Sequence, residues 1–315
     1  MPSKCESLKA EYASLLTLKE EFDLEYQKAV ETGNLVRAKE LKAELEARMK
    51  ALKEKLHISV EKAAEIMKEN FLGPEAIKQS FGFAPETIPP IPFKEKELLR
   101  AKELNQILIL QVERDESNQP LTMKSMNEKV GGKAADGNKL LYIIDWYKDE
   151  PFFTNESVSS GWKLVSKEII PGTTGKNYLE QTEILIDHLK TEVFENIPLP
   201  QEYEDAIAEF ETEKAAIAAI IDSDWKKAGE MLLKLKITTL LKESAPDLLY
   251  RLILQEKQDN QKLLSNILSW TKSRSSSSFP PFVEVGDFGA EGANVGGDEA
   301  GSRDGDLGSV FSRVK

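Results

Sequence analysis

Eight of the chain's 18 glycines fall between Gly286 and Gly308, and this clustering sets the strongest limit on how the chain folds. The stretch from Gly286 to Asp306 mixes Gly, Asp, Ala, Asn, Glu and Ser with few apolar side chains, whereas the rest of the chain is built of helix formers and ordinary core types. Two readings follow. One is a disordered, acidic, glycine-rich tail, because such a composition buries too little apolar surface to offset chain entropy. The other is an irregular loop surface held between two strands. Phe282 to Val285 before it is a short apolar run, and Leu307-Gly308-Ser309-Val310-Phe311-Ser312-Arg313 after it is strand-like. A disordered tail has no need of such a closing segment, so the bracketed loop is the preferred reading.

The chain has 315 residues, room for two or three domains at ~100–200 residues each. Its 40% hydrophobic and 30% charged content is that of a soluble globular protein with exposed helices. There is no apolar run long enough to span a membrane. Met1-Pro2-Ser3-Lys4-Cys5-Glu6 lacks the apolar core of a secretory signal. Cys5 is the single cysteine, which excludes an internal disulfide and suits a reducing compartment, so a cytoplasmic location is expected. The net charge of −12, with no outstanding cluster of Lys and Arg, argues against a general nucleic-acid binder.

Residues 3 to 56 read as two long helices. Leu8, Leu15, Leu18, Phe22 and Tyr26 recur at three- and four-residue spacing, as do Leu35, Ala38, Leu41, Leu45, Met49, Leu52 and Leu56. Thr32-Gly33-Asn34 between them is a turn, with Gly33 able to end one helix and Asn34 to cap the next. An antiparallel hairpin follows. Its seam is filled either by the hairpin alone or by a second copy of the chain. Ser59 opens another helix to about Asn70, and Gly73-Pro74-Glu75 a short one. Prolines 85, 89, 90 and 92 then mark a boundary.

Beyond Phe93 the pattern turns mixed. A helix from Glu95 to Leu104 leads into a buried strand at Ile107 to Val112, a helix opens at Pro120 and runs to about Val130, and Leu140 to Ile144 is a second strand candidate. Trp146, Tyr147, Phe152, Phe153 and Trp162 are read as packing. Tyr178 to Phe194 is amphipathic, with Leu179, Ile184, Leu185 and Leu189 along one side. Residues 201 to 269 read as helical over Tyr203–Ile221, Trp225–Lys242 and Pro246–Ser269, an insertion or cap beside the mixed domain.

Chemical motifs are sparse. Pro171-Gly172-Thr173-Thr174-Gly175-Lys176 lacks the first glycine of a phosphate loop, and Asn177 stands where Ser or Thr would hold magnesium. His57 and His188 have no second ligand at zinc spacing, and no serine sits in a nucleophile elbow. Asp304, Asp306, Asp298 and Asn294 could offer oxygens to calcium, and Gly296-Gly297-Asp298 matches part of one calcium-binding nonapeptide repeat, but such repeats need several copies. Solvated loop acids are the preferred explanation. An acidic active site on Asp298, Asp304 and Asp306 is a further class, though no pair has a spacing that marks acid and base roles.

The series Trp270-Thr271-x-Ser273-Arg274, the strand Phe282 to Val285, the Gly/Asp/Ser/Asn segment and the closing Leu307-Gly308-x-Val310-Phe311-Ser312-Arg313 resembles the end of C-type-lectin-like domains of the formylglycine-generating-enzyme type. Gly161-Trp162-Lys163-Leu164-Val165-Ser166-Lys167-Glu168 stands where that family carries a Trp-Arg-Leu-Pro-Thr-x-x-Glu element, with Val165 in place of the proline. The likeness spans residues 93–194 and 263–315. The enzyme's catalytic cysteines are absent, so the resemblance implies a binding scaffold. The residue mixture from Gly286 to Asp306 is further similar to that of variable proteins of diversity-generating retroelements, where adenine-directed reverse transcription rewrites codons. The chain as a whole also resembles uncharacterised proteins of uncultivated small-genome bacteria that share the Leu-Gly-x-Val-Phe-Ser-Arg ending.

These readings give an α+β fold: a helical hairpin and short helices over 1–85, a C-type-lectin-like mixed domain over 93–194 and 263–315, and a helical insertion over 195–262. The expected function is non-enzymatic binding of a protein or small ligand by a diversified loop surface at 286–306, through Asp287, Phe288, Glu291, Asn294, Asp298, Ser302, Arg303, Asp304 and Asp306. Phe288 and Arg303 are the only anchor-type residues among them. No catalytic residue, metal or cofactor is assigned, and neither nucleic acid nor membrane is an expected partner. Self-association through the N-terminal helices is the expected oligomer contact. The alternative is a helical scaffolding protein with an acidic tail.

Overall fold

The computed structural model describes residues 4–32, 35–276 and 282–314. Contacts divide the chain into two units, residues 1–59 with 90–94 and residues 60–89 with 95–315. Both helices and mixed sheets are present, an α+β composition.

The first unit is built on α1 (Lys4–Thr32) and α2 (Val36–Leu56), which pack together as a hairpin. Leu18 and Leu45 are buried with Phe22 against them, and Ala29 is also buried. Arg37 of α2 bridges to Glu25 of α1 at 3.3 Å. Tyr26 and Leu35 belong to the expected seam but are 48% and 46% exposed. Tyr26 lies beside the Phe22 ring at 5.6 Å, at the margin of the seam. The expected turn at Gly33-Asn34, and the side chains of Leu8, Leu15, Ala38, Leu41, Met49, Leu52 and Leu56, lie outside the described residues.

In the second unit, α3 (Val60–Met67) leads to β1 (Phe71–Leu72) and α4 (Pro74–Phe81). Pro74 sits at the first helical position, and Gly82 ends α4 in the left-handed conformation at φ 81°. The sequence groups these elements with the hairpin. The structure instead divides the chain at Ser59, because β1 adds in parallel to β2 (Gln106–Gln111) and so ties residues 60–89 to the mixed domain.

Two four-stranded sheets form the frame. The first has the order β1-β2-β3-β8, where β3 is Gly161–Ser166 and β8 is Ser312–Arg313. All six residues of β2 are buried, as the apolar run Ile107–Leu110 requires of a covered strand, and the glutamines at its two ends are buried with it. The second has the order β6-β5-β4-β7, made of β4 (Leu268–Arg274), β5 (Phe282–Gly289), β6 (Gly292–Asp298) and β7 (Leu307–Gly308). The end of the chain serves both sheets, β7 running parallel to β4 and β8 antiparallel to β3.

Helices α5 (Glu95–Glu103) and α6 (Met123–Lys129) lie as expected, and α7 (Pro151–Thr154) is a single turn. Leu140 to Ile144 is not a strand. Leu140 and Leu141 are buried and Leu141 makes one isolated bridge to Ala293, but Tyr142, Ile143 and Ile144 are exposed. The aromatic run is packing, as expected: Tyr147, Phe152 and Phe153 are buried, with rings 5.1 to 6.0 Å apart.

The helix from Tyr178 comprises α8 (Tyr178–His188), capped by Asn177 and Glu180 and continued by one π-helical segment to Val193. The remaining helices are α9 (Gln201–Ala218), α10 (Trp225–Lys234), α11 (Lys236–Leu241) and α12 (Ala245–Asp259). Two expectations are corrected here. The last helix ends at Asp259, where Asn260 turns left-handed, and Leu268-Ser269 already belongs to β4. Nor is α12 an insertion. Every residue from Ala245 to Glu256 is buried, and the helix packs against β2 of one sheet and β4 and β5 of the other. Its polar residues are paired internally, Arg251 with Glu243 at 2.8 Å and Asp247 with Lys163 at 2.9 Å, which is what burying them requires. α8 to α11 likewise share one core with Trp270, Phe282, Leu307 and Phe311.

Candidate functional site

The glycine-rich stretch is mostly sheet rather than irregular loop. Residues 282–298 are β5, a tight turn at Ala290-Glu291, and β6, and only residues 299–306 form a connecting loop. Strand register explains how so polar a sequence pairs. Val283 and Val285 face one side of the sheet opposite Gly297 and Val295, while Phe282, Glu284 and Gly286 face the other opposite Asp298, Gly296 and Asn294. Apolar residues alternate with small and polar ones, so β6 is buried at Ala293 and Val295 and part-exposed at Asn294, Gly296 and Asp298.

The loop after β6 is fixed through its backbone. The Ala300 carbonyl accepts the Tyr178 N–H at 3.0 Å, the Asp304 carbonyl that of Gly175 at 3.0 Å, and the Asp306 carbonyl that of Leu268 at 2.8 Å. The Ser302 hydroxyl donates to Asp298 Oδ1 at 2.5 Å. Main chain and the buried Ala300 thus hold the loop down, while Arg303, Asp304 and Asp306 present their side chains to solvent.

Of the expected site residues, Asp298, Ser302, Asp304 and Asp306 are brought together at the end of β6, while Asn294 lies four positions earlier on the strand, opposite Gly286. Asp287 and Glu291 are exposed but sit near the hairpin tip, Asp287 in a bulge at φ 40°. Phe288 is corrected outright. The bulge between Gly286 and Gly289 turns it inward, where it is fully buried, its N–H bonded to the Leu264 carbonyl and Lys262 Nζ 4.9 Å from its ring. It cannot anchor a partner. Arg303 is engaged within the chain, with Asp222 at 3.0 Å, Glu180 at 3.5 Å and the Gly301 carbonyl at 2.8 Å.

Glu284 is the residue that sequence reading passed over, being counted in an apolar run. The residue is 8% exposed, and its carboxyl fills the space over its cross-strand partner Gly296, where a Cβ would stand only 2.2 Å from Oε1. Oε2 has no hydrogen-bond partner. Burial, and then the charges of Asp298, Asp304 and Asp306, push its pKa up to about 8. The hydrogen bond with Asp298, burial and the nearby acids raise Asp304 as well. The signal available was one carboxylate alternating with apolar residues in Phe282-Val283-Glu284-Val285, opposite a glycine in β6.

The calcium reading does not find its geometry. Among the described residues, no group of three or more His, Cys, Asp or Glu side chains is placed to hold a metal ion. Nor is any helix among them long and apolar enough to cross a membrane. An open cleft of about 380 Å³ lies elsewhere, between Phe83–Thr87 and Val112–Glu116, and none of the expected site residues lines it. Comparison with protein-family models, curated proteins and solved structures returned no match.

Proposed function

We propose that the chain is a non-enzymatic binding module that presents the outer face of β6 and the loop 299–306 to a protein or small ligand. The observation that carries this reading is the division of labour along residues 292–306. Ala293, Val295 and Ala300 are buried and the loop is held by backbone hydrogen bonds, while Asn294, Asp298, Ser302, Asp304 and Asp306 leave the core untouched. Residues so placed can be exchanged without repacking, which is how rigid scaffolds carry variable recognition surfaces. The composition of the segment agrees with adenine-directed codon diversification, and we place the chain among retroelement variable proteins on a C-type-lectin-like scaffold. Tyr142, Ile143 and Ile144, exposed beside the β6 edge where Tyr142 N–H bonds to the Ala293 carbonyl, supply the apolar area that short polar side chains lack.

The gene tests this directly. A near-copy of codons 270–315 downstream of the stop codon, differing where the copy has adenine and lying beside a reverse transcriptase, is the expected finding. Its absence removes the diversification reading. At the protein level, alanine at Asn294, Asp298 and Asp304 is expected to change partner binding with the fold retained, and unchanged binding would sink the site assignment.

Self-association through the N-terminal hairpin is a second element of the proposal. Tyr26 and Val30, one turn apart on α1, and Leu35 and Val36 at the start of α2 are exposed apolar residues available to a second copy.

A further inference from the structure

Lys242, which follows α11, is 1% exposed and lacks an acidic partner. Burial lowers its pKa to about 7, and no charged neighbour among the described residues contributes. Its Nζ stands 2.6 Å from Ser309 Oγ and 4.3 Å from the centre of the Tyr178 ring. A neutral amine in contact with a hydroxyl can take its proton. Ser309 is itself fully buried, and its hydroxyl donates to Gln181 Oε1 at 2.5 Å. Gln181 Nε2 is in turn held by the Lys176 and Leu307 carbonyls at 3.0 and 3.1 Å. A base, a nucleophile and an amide that orients the nucleophile thus meet, as serine activation requires. The group is closed to any outside substrate, so the acyl carbon it attacks must belong to the chain.

Such a carbon is adjacent. Attack of Ser309 Oγ on the Gly308 carbonyl carbon closes a five-membered ring, so little freedom is lost in bringing the two together. Gly308 puts no side chain beside that carbon. A Cβ there would stand 2.9 Å from Ile169 Cδ1 and 3.1 Å from Thr173 Oγ1. The peptide is pinned around the bond. The Ser309 N–H donates to Thr173 Oγ1 at 3.1 Å, the Ser309 carbonyl accepts from the Ile170 N–H at 2.9 Å, and the Val310 N–H donates to Ser269 Oγ at 3.0 Å.

We infer that the chain cleaves its own peptide bond between Gly308 and Ser309, with Ser309 as nucleophile and Lys242 as general base. The hydroxyl proton passes to Lys242 Nζ as Oγ bonds to the Gly308 carbonyl carbon. The ammonium returns that proton to the Ser309 nitrogen as the C–N bond breaks, which leaves an ester from Gly308 to Oγ and a free amine at Ser309. Water then hydrolyses the ester to a Gly308 carboxylate and restores the hydroxyl. The carboxylate arises beside Lys242 and supplies the counter-charge that the buried amine lacks. Residues 309–315 stay in place after cleavage. Phe311 is buried, β8 is paired with β3, Arg313 lies 3.2 Å from Glu97, and the Val314 carbonyl accepts from the Tyr203 hydroxyl at 3.0 Å. The reaction is independent of the binding surface at β6.

The test is mass spectrometry of the purified full chain, incubated with and without hydroxylamine while circular dichroism follows the fold. The expected result is a falling 315-residue mass and two fragments, residues 1–308 and 309–315, whose masses sum to the intact chain plus one water. Hydroxylamine, which cleaves the ester, should speed their appearance, and the rate should rise with pH through about 7 as Lys242 loses its proton. Ser309→Ala should abolish cleavage. Lys242→Met should slow it by on the order of a hundredfold or more with the fold retained. An intact mass that is unchanged in the folded protein, with hydroxylamine present or absent, overturns the assignment. Cleavage that persists in Ser309→Ala overturns it in favour of a contaminating protease. A rate unchanged in folded Lys242→Met removes the lysine as base. Loss of one ammonia from the intact mass overturns cleavage in favour of acyl transfer from Gln181 to the same hydroxyl.

Discussion

Lys163 Nζ stands 2.9 Å from Asp247 Oδ2, joining an inner strand of one sheet to the first turn of α12, with 4% and 0% of the two side chains exposed. Asp247 also accepts from the Ser159 N–H at 2.8 Å and the Ser159 hydroxyl at 2.9 Å. Burial opposes its ionisation, but the Lys163 charge and these hydrogen bonds outweigh that and hold its pKa below the ordinary value. Replacing Asp247 by Ala leaves a buried ammonium unpaired and is expected to cost about 3–5 kcal/mol. Because the folded pKa is depressed, the pair's contribution is present above the ordinary carboxylate range and is lost as pH falls through it. Urea midpoints of wild type and Asp247→Asn measured between neutral and acid pH check this. The two should converge as pH falls, and parallel curves would remove the pair from the account.

Lys242 is a buried amine of the opposite kind. It is 1% exposed, donates to Ser309 Oγ at 2.6 Å and lies 4.3 Å from the centre of the Tyr178 ring. Burial lowers its pKa to about 7. Between pH 7 and 10.5 unfolding takes up a proton at this group, so stability rises with pH across that window. Lys242→Met is expected to stabilise the protein, by on the order of 2 kcal/mol near neutral pH. The gain should be largest below pH 7 and shrink as pH rises. Thermal midpoints across that range decide it, and a gain independent of pH would show that Lys242 titrates normally.

Gly292 is needed where β6 meets the segment before α7. Its φ is +108°, and a Cβ would stand 2.8 Å from the Leu141 carbonyl carbon and 2.9 Å from both Lys139 O and Tyr142 N. Gly292→Ala is expected to cost about 1–3 kcal/mol in backbone strain, with the clash adding to it. The Tyr142–Ala293 backbone contact should open. Hydrogen exchange at Tyr142 and Ala293 reads this locally: faster exchange at both is the expected result, and unchanged protection with full stability would refute the steric argument.

The hairpin surface makes a separate prediction. Lysine at both Tyr26 and Val30, which are 48% and 58% exposed, should leave the helix content intact. If the hairpin joins two copies, the variant should show the mass of one chain by light scattering at concentrations where wild type shows more. An identical mass for both would exclude this face as the contact.

The hairpin, β2, α8 and the closing strands are legible because each carries its own pattern: three- and four-residue spacing, a short apolar run, the amphipathic row of Leu179, Ile184, Leu185 and Leu189, or a strand-like ending. Other segments are not. Leu140–Ile144 has strand composition but only an edge to lean on, so three of its apolar side chains face solvent. For α12, the helical pattern reads as an insertion or cap, and nothing local indicates that Lys163, Glu243 and Ser166 come from far along the chain or from its flank to pair with its buried charges. Within the candidate site, the residue types of Asn294, Asp298, Ser302, Asp304 and Asp306 agree with their part-exposed or exposed positions on β6 and its loop. Phe288 was placed wrongly, because a bulge, which composition does not encode, reverses the side a residue faces.

By itself, then, the sequence determined which segments are helical, where polar and glycine-rich surface is concentrated, and how the chain closes. Those are local properties, set by periodicity, caps and composition. The tertiary structure decided that β5 and β6 pair with Glu284 over Gly296, that α12 is the core element touching both sheets, and that Arg303 turns away from the acids beside it. These depend on strand register and on contacts between residues far apart in the chain, where one position's shift in pairing would send every side chain to the other face.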